Sequence, residues 1–220
     1  MVERRTDPTV RVRLLEGAAR LLAEEGPSAL TLRRVATEAD TSTMGVYTHF
    51  GSMADLADAV VTEGFARLAA RLAEVPHTDD AITDLAGLAR AYLVHARQNP
   101  HLYAVMFGTA SLGMYRPQTA DKLKRGRYTF EKIVEACGHA VKQRRLRPAD
   151  PLAIANQLWT AMHGYVMADV GGYFGEDGTE HVLVPMLVTM LSGLGADPDT
   201  ALASIKTLTA TDTAPLHGSH

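Results

Sequence analysis

The chain has 220 residues, of which 46% are apolar and 21% are charged. This composition excludes a disordered or fibrous protein, and a chain of this length can bury a sizeable hydrophobic core. The formal net charge is −3, from 22 basic and 25 acidic residues. That balance excludes a polycation that coats nucleic acid or membranes, but it does not exclude a local phosphate-binding patch.

Three features of the sequence predict a soluble, cytoplasmic protein. The single cysteine, Cys137, cannot form an intrachain disulfide, which suits a reducing compartment. The first eight residues are charged and lack the apolar stretch of a signal peptide. The most apolar run, residues 182–191, has about half of the roughly 20 residues that a membrane-spanning helix needs.

Helix-forming residues dominate the periodic segments and strand signals are missing, so the predicted fold is all-α with nine or ten helices. The first predicted helix begins at Asp7-Pro8 and ends at Gly26-Pro27. Two short helices follow, one over 32–39 and one from 41 or 42 to about 48. A longer helix runs from about 52 to 74.

A second block of longer predicted helices makes up the rest of the chain. Their approximate bounds are 78–99, 101–107, 118–145, 151–171, 180–194 and a short helix after 197. Residues 108–117 are predicted to form a loop. We therefore expect a head over residues 1–52, a helical body over 53–208 and a flexible tail over 209–220.

Residues 31–50 are the most informative segment, because two short helices flank a turn there. These dimensions are those of a helix-turn-helix. One helical face carries the apolar positions Leu32, Val35, Ala36, Ala39, Val46 and Phe50. The outward positions carry small or hydrogen-bonding side chains that suit DNA, namely Thr41, Ser42, Thr43, Tyr47 and His49. The alternative is a packed helical hairpin without a DNA-binding role.

The same segment carries a pattern of residues that extends beyond the two helices. Its elements are Thr31-Leu32-Arg33-Arg34-Val35-Ala36, Ser42, Tyr47-Thr48-His49-Phe50-Gly51-Ser52 and Asp55-Leu56. This pattern resembles the DNA-binding head of the tetracycline-repressor (TetR) family over about residues 8–60. The resemblance implies a recognition helix from Thr41 to His49, with backbone contacts from Tyr47 and His49. The predicted DNA-binding residues are Thr31, Thr41, Ser42, Thr43, Gly45, Tyr47, Thr48 and His49.

Two positions depart from the family pattern, which usually has a lysine at Met53 and often a basic residue at Thr43. Residues 1–50 contain seven arginines and seven acidic residues, so the head is neutral overall. Four arginines near its start either supply the missing phosphate contacts or are simply solvated. They are Arg4, Arg5, Arg11 and Arg13.

A second, shorter resemblance lies in the body. Trp159, His163 and Gly164 resemble the Trp-His-Gly signature of one group of TetR-type C-terminal domains. Trp159 and His163 are four residues apart and share a helix face. They are either core residues or part of a pocket for a small apolar or aromatic effector. The predicted lining of that pocket is Tyr92, His95, Tyr103, Phe107, Tyr128, Trp159, Met162 and His163.

The predicted helix over 180–194 is apolar on nearly every side, which indicates burial on every side. Its own subunit can cover only one face, so a second subunit is expected to cover another. The alternative is the central helix of a monomer. By the resemblance, the helices over 151–171 and 180–194 of two subunits form a four-helix interface. The predicted contact residues are Val184, Leu187, Val188 and Leu191.

No catalytic group, metal site or cofactor is predicted, and the expected function is not enzymatic. Glu131, Glu135 and His139 share a helix face that could hold a metal or could simply be solvated. We expect a sequence-specific transcriptional regulator, a ligand-responsive repressor that binds a palindromic double-stranded DNA operator as a homodimer without touching a membrane. The rival hypothesis is a helical small-molecule- or metal-binding enzyme whose head is only a scaffold.

Overall fold

The computed structural model describes residues 8–107 and 126–209, and these residues form helices without any strand. The helices are α1 (Pro8–Glu25), α2 (Leu32–Glu38), α3 (Thr43–Phe50), α4 (Met53–Ala73), α5 (Ala81–Gln98), α6 (Pro100–Met106), α7 (Arg127–Lys142), α8 (Pro151–Val170), α9 (Val184–Gly193) and α10 (Pro198–Thr209). The predicted all-α fold is therefore confirmed. Within the described ranges, no helix is both long enough and apolar enough to cross a membrane.

The predicted helix bounds agree with the structure to within a few residues wherever both can be compared. The predicted loop over 108–117, the predicted helical start over 118–125 and the tail beyond 209 lie outside the described residues. Sequence reasoning missed a 3₁₀ turn, Pro27–Ala29, and a π-helical turn, Thr179–Leu183, that leads into α9. The second residue of α9 is a proline, which has no N–H to continue the ladder of an α-helix.

The chain divides into two compact units. Unit 1 consists of Met1–Leu68 and Ala96–Gly126, and unit 2 consists of Ala69–His95 and Arg127–His220. In unit 1, α1, α2 and α3 pack on one another and α6 packs on α1. In unit 2, α7 packs on α8 and α9 packs on α10.

The core of the first three helices follows the apolar periodicity of the sequence. Leu14 and Leu22 of α1, Val35 of α2 and Val46 of α3 are completely buried. Phe50 closes the same core at the end of α3. The predicted apolar positions of α2 and α3 are thus buried, except Leu32, which is half-buried.

Two ion pairs fasten α1 to α2 at the surface of unit 1. The Arg20 guanidinium lies 2.6 Å from Glu38, and Arg34 donates to Glu25 at 2.6 Å as part of a forked pair. The hydrogen bond lowers the pKa of Glu25 and raises that of Arg34. Both pairs are exposed, so each adds little to stability, but they occupy two arginines of the head.

Short caps and turns set the directions of α2, α3 and α4. The Thr31, Ser42 and Ser52 hydroxyls accept hydrogen bonds from backbone N–H groups three residues later, at 3.4, 3.2 and 3.1 Å respectively. The turn between α2 and α3 places Asp40 at a φ of 48°, which aspartate tolerates better than most residues. Gly51 ends α3 at a φ of 76°, in the region that favours glycine.

A carboxylate at the start of α5 joins three parts of unit 2. Asp80 accepts hydrogen bonds from Ser204 of α10 at 2.7 Å and from Thr83 at 2.8 Å, and it pairs with Arg145 at 3.1 Å. Burial alone would raise the pKa of Asp80. The hydrogen bonds from Ser204, Thr83 and the Ile82 N–H, together with Arg145, outweigh burial and lower it. Asp80 therefore stays ionised and holds α10 and the α7–α8 connection to α5.

The burial pattern of α1 gives a stability prediction with a matched control. Leu14 is 0% exposed and Val12 is 51% exposed. Leu14→Ala should lower the free energy of unfolding by about 2–5 kcal/mol, because it leaves a cavity. Val12→Ala should change it by less than about 0.5 kcal/mol. Urea unfolding at one fixed protein concentration measures both values, and equal losses would contradict the packing of α1.

Candidate nucleic-acid interface and internal cavity

The helix α3 has one face in the core of unit 1 and the other in solvent. Val46 and Phe50 are buried, four residues apart. The exposed positions are Thr43, Met44, Tyr47 and Thr48. This exposed face holds the hydroxyls of Tyr47 and Thr43, which can bind phosphate oxygens or base edges, and the hydroxyl of Thr48.

The start of α3 is arranged so that backbone N–H groups remain accessible. The Ser42 hydroxyl caps the Gly45 N–H, while the other first-turn N–H groups lack an intrahelical partner. A Cβ atom at Gly45 would lie 2.6 Å from the Thr41 hydroxyl, so glycine leaves room for that side chain. The N-terminus of a helix carries a partial positive charge that favours phosphate.

The later part of α3 carries the other predicted DNA contacts. Tyr47 is 47% exposed, and His49 is half-buried in the last turn. The Thr48 hydroxyl donates to the Met44 carbonyl at 2.9 Å, so its proton is not available to a phosphate. Thr31 lies apart from this helix, exposed at the cap of α2. The structure therefore groups the predicted residues from Thr41 to His49 on α3 and its cap.

Of the four arginines predicted near the start of the head, two lie in the described part of the chain. Arg4 and Arg5 lie outside the described residues. The Arg11 guanidinium carbon lies 5.0 Å from the centroid of the Phe50 ring, so it stacks at the edge of the head core. Arg13 is exposed. Arg11 therefore lies next to the end of α3, where an approaching phosphate backbone could meet it.

An apolar cavity of about 50 Å³ lies within unit 2. It includes three of the predicted pocket residues, Tyr92, Trp159 and Met162. Sequence reasoning missed most of the aliphatic wall, which includes Leu85, Leu88, Leu158, Leu187, Leu191 and Ile205. The wall residues of α5 recur every three or four positions, and that periodicity could have identified them.

The cavity wall is almost wholly apolar, and its two lining residues with a polar side-chain atom are Tyr92 and Trp159. The Tyr92 hydroxyl lies 3.1 Å from Nδ1 of His163, at hydrogen-bond distance. The His163 ring stacks on Trp159 with centroids 5.0 Å apart and planes 10° apart. Burial lowers the pKa of His163, so this imidazole is neutral at pH 7. The cavity is thus lined by a mostly apolar surface, and the hydroxyl of its lining residue Tyr92 is held by a neutral histidine.

The structure places four other predicted pocket residues elsewhere. His95 is buried in unit 2 without lining the described cavity, and Tyr128 is 43% exposed on α7. Tyr103 and Phe107 belong to unit 1, where their ring centroids are 4.7 Å apart. Phe107 also meets Phe65 edge-on at 5.6 Å. Aromatic character alone does not tell which helical core a ring joins.

The predicted dimer contacts also divide between two faces. Val184, Leu187 and Leu191 are buried within unit 2, and the latter two line the cavity. Their side chains are covered within the single chain, whereas Val188 is half-buried. Pro185 is exposed on the outward side of α9. The sequence did not separate the inward residues of α9 from the outward ones, because a uniformly apolar helix has no periodicity that marks its inner face.

The alternative metal face on α7 is occupied by local charge pairs. Glu131 lies 3.9 Å from Arg127, and Glu135 lies 3.5 Å from Lys132. His139 is one turn beyond Glu135 on the same helix. Among the residues described, no group of three or more histidine, cysteine or acidic side chains is placed to hold a metal ion.

Two family models match the chain. The model for bacterial regulatory proteins of the tetR family matches residues 14–60, which include α2 and α3. The model for tetracyclin repressor-like C-terminal domains matches residues 85–191, which include most of the cavity wall.

Known proteins similar to this chain include regulators and solved structures of the same architecture. An uncharacterized HTH-type transcriptional regulator of Mycobacterium tuberculosis is 26% identical over 187 residues, covering 84% of this chain and 81% of that protein. A Rhodococcus sp. RHA1 protein of unknown function is 26% identical with a TM-score of 0.73, covering 88% of this chain and 99% of that one. RolR in complex with resorcinol is 17% identical with a TM-score of 0.62, covering 96% of each chain, and it shares the fold. The chain belongs to the TetR family of bacterial DNA-binding transcriptional regulators.

Proposed function

We propose that this TetR-family regulator is a repressor that binds a palindromic operator as a homodimer and leaves it when a small, mostly apolar effector enters the cavity of unit 2. The observation that carries the proposal is the divided surface of α3, which buries Val46 and Phe50 and presents hydroxyl groups to solvent. The family match favours this function over an enzyme whose head is only a scaffold.

The exposed face of α3 suits the major groove. The groove of B-DNA is about 12 Å wide and admits one helix. Thr43 is a short side chain at the first position of α3, so the start of the helix can approach base edges closely. We assign base contacts to Thr43 and phosphate contacts to Tyr47 and His49, with the cap of α3 and the Thr31 hydroxyl as further phosphate contacts.

The outward faces of α8 and α9 support a revised dimer interface. A Cβ atom added at Gly164 or at Gly193 would meet nothing within 4 Å, so both glycines border open space. Met186 and Met190 are only half-buried on the same side of α9 as exposed Thr189. Small and flexible apolar residues let two helices approach closely. We therefore assign these residues to the interface in place of Leu187 and Leu191.

The cavity favours a small neutral effector. By the measure in which one water needs about 10–15 Å³, a volume of about 50 Å³ corresponds to a few water-sized groups. Tyr92 lines the cavity, and we assign its hydroxyl to one polar substituent of the ligand. RolR, which shares the fold, has been solved with resorcinol as its ligand. Such a ligand acts as an inducer only if it binds the DNA-free state more tightly than the bound state.

Specific DNA binding is the first expectation, and a gel shift against the DNA flanking the gene of this protein measures it. The half-sites should be centred about 10–10.5 bp, or a multiple of that distance, apart. Tyr47→Phe should lower affinity at least about tenfold, because a hydrogen bond to a charged group contributes about 1.5–3 kcal/mol. Tyr173→Phe is the matched control, since Tyr173 is 83% exposed in unit 2. A Tyr47→Phe protein with unchanged affinity and a lower melting temperature would make Tyr47 a packing residue.

Dimer formation is the second expectation, and sedimentation at micromolar concentration measures it. Gly164→Glu should give monomers, because the variant places two unpaired carboxylates in a closed interface. The same change should not harm the helix, since glutamate favours helix more than glycine does. Ala203→Glu, at an exposed position on α10, should stay dimeric. The assignment fails if Gly164→Glu remains dimeric, or if the unmodified protein is a monomer.

Effector binding is the third expectation, tested with phenol and resorcinol as probes. Either probe should raise the melting temperature, change the emission of Trp159, the single tryptophan, and release operator DNA. Ala89 lines the cavity, so the larger side chain of Ala89→Leu should fill part of it and weaken probe binding about tenfold or more.

Tyr92→Phe should weaken the binding of hydroxyl-bearing probes by about two- to tenfold, because it removes one hydrogen bond. Tyr128 is exposed on α7, so Tyr128→Phe should leave the affinity for these probes unchanged. Probes that release DNA with unchanged affinity for the Ala89→Leu and Tyr92→Phe proteins would place the effector site outside this cavity.

A further inference from the structure

A large apolar side chain projects from the DNA-facing surface of α3. Met44 is 68% exposed and occupies the second position of α3. The core of unit 1 is closed by Val46 and Phe50 of this helix, so Met44 does not contribute to that packing. Its side chain is therefore accessible to a partner outside the chain.

The position of Met44 on α3 limits what that partner can be. Cα–Cβ bonds of a helix tilt toward its N-terminus, so Met44 leans toward the end at which helix-turn-helix proteins contact base edges. Exposed Thr43 precedes it and exposed Thr48 lies one turn later. The Thr48 hydroxyl bonds to the Met44 carbonyl, which fixes the backbone at this turn. Met44 thus shares the surface that meets DNA in the proposed function.

The chemistry of the major groove offers one apolar group to such a side chain. The base edges there carry hydrogen-bond donors and acceptors, and the exception is the C5-methyl group of thymine. A thioether is a weak acceptor with no donor, so it gains little from phosphate oxygens or from amino groups. An unbranched methionine can instead adjust its rotamers to cover a methyl group.

We propose that Met44 is a specificity-determining residue that packs its Cγ, sulfur and Cε atoms against the C5-methyl group of one thymine in each half-site. This assignment rests on the proposed function, because it needs α3 in the major groove. Each contact buries one methyl group. Removing that methyl should therefore weaken binding about fourfold per half-site, the equivalent of about 0.8 kcal/mol for one CH₂-sized group.

The test replaces each operator thymine in turn by deoxyuridine. Deoxyuridine keeps every hydrogen-bonding group of thymine and lacks only the C5-methyl group. An operator is first selected from random DNA with the unmodified full-length protein, and affinities are then measured by gel shift. One thymine per half-site should show the fourfold penalty with the unmodified protein. The Met44→Ala protein should bind the thymine and uracil forms of that site equally well.

Matched variants separate Met44 from its neighbours. Met44→Gln keeps the length of the side chain and removes its apolar end, so it should also lose the preference for thymine. Thr43 and Thr48 carry the other methyl groups of this face, and Thr43→Ser and Thr48→Ser remove only those. Both serine variants should keep the uracil penalty at the Met44 position. Circular dichroism should be unchanged for all of them, because the three residues are exposed.

The outcomes distinguish this assignment from the function on which it rests. Site-specific binding without a uracil penalty at any position, or with a penalty that persists in Met44→Ala, overturns the role of Met44 alone. A penalty that disappears in Thr43→Ser or Thr48→Ser, but not in Met44→Ala, assigns the methyl contact to that threonine and overturns the role of Met44. Failure of the unmodified protein to select any DNA site overturns the proposed function and this assignment together.

Discussion

The burial of Val46 and Phe50 is the interaction on which the DNA-facing surface depends. With eight residues, α3 is too short to be a stable helix by itself. It packs on both α1 and α2, and the Ser42 cap and Gly51 define its two ends. Because the two core residues lie four positions apart, Thr43, Met44, Tyr47 and Thr48 face solvent on the opposite side, and His49 is half-buried at its edge. The orientation of every proposed DNA contact on α3 follows from that one constraint.

The distribution of charge in the head affects how strongly DNA affinity depends on salt concentration. Arg20 and Arg34 are engaged with carboxylates of α1 and α2. The contacts proposed for α3 come instead from hydroxyl groups, from the His49 ring and from the N-terminal backbone of a helix, without a lysine or an arginine. Neutral contacts displace few counterions, so affinity that depends on them varies less with salt concentration than affinity that depends on lysine and arginine. Specific fit, rather than net charge, then accounts for more of the binding free energy.

The structure of the head could be predicted from signals between neighbouring residues, whereas the packing of the body could be predicted only in part. The spacing of Val46 and Phe50, the Ser42 cap and the turn at Asp40 are encoded within 20 residues, and the structure reproduces them. Of the predicted pocket residues, Tyr92, Trp159 and Met162 lie on the wall of the cavity in unit 2. For Leu187 and Leu191, however, the inner and outer faces of α9 could not be distinguished, because both are apolar. Which helix covers which face is decided by long-range packing, and a single sequence does not display it.

The two faces of α9 place limits on how this protein can change during evolution. Leu187 and Leu191 line the cavity, while Met186 and Met190 lie immediately before them on the outward side. In the symmetric dimer that we propose, each substitution occurs twice, once on either side of the two-fold axis. A change that adapts the proposed effector cavity to a new ligand therefore risks disturbing the adjacent outward residues in both subunits. New ligand preferences should thus arise more readily through the cavity residues of α5, such as Leu85 and Leu88, than through those of α9.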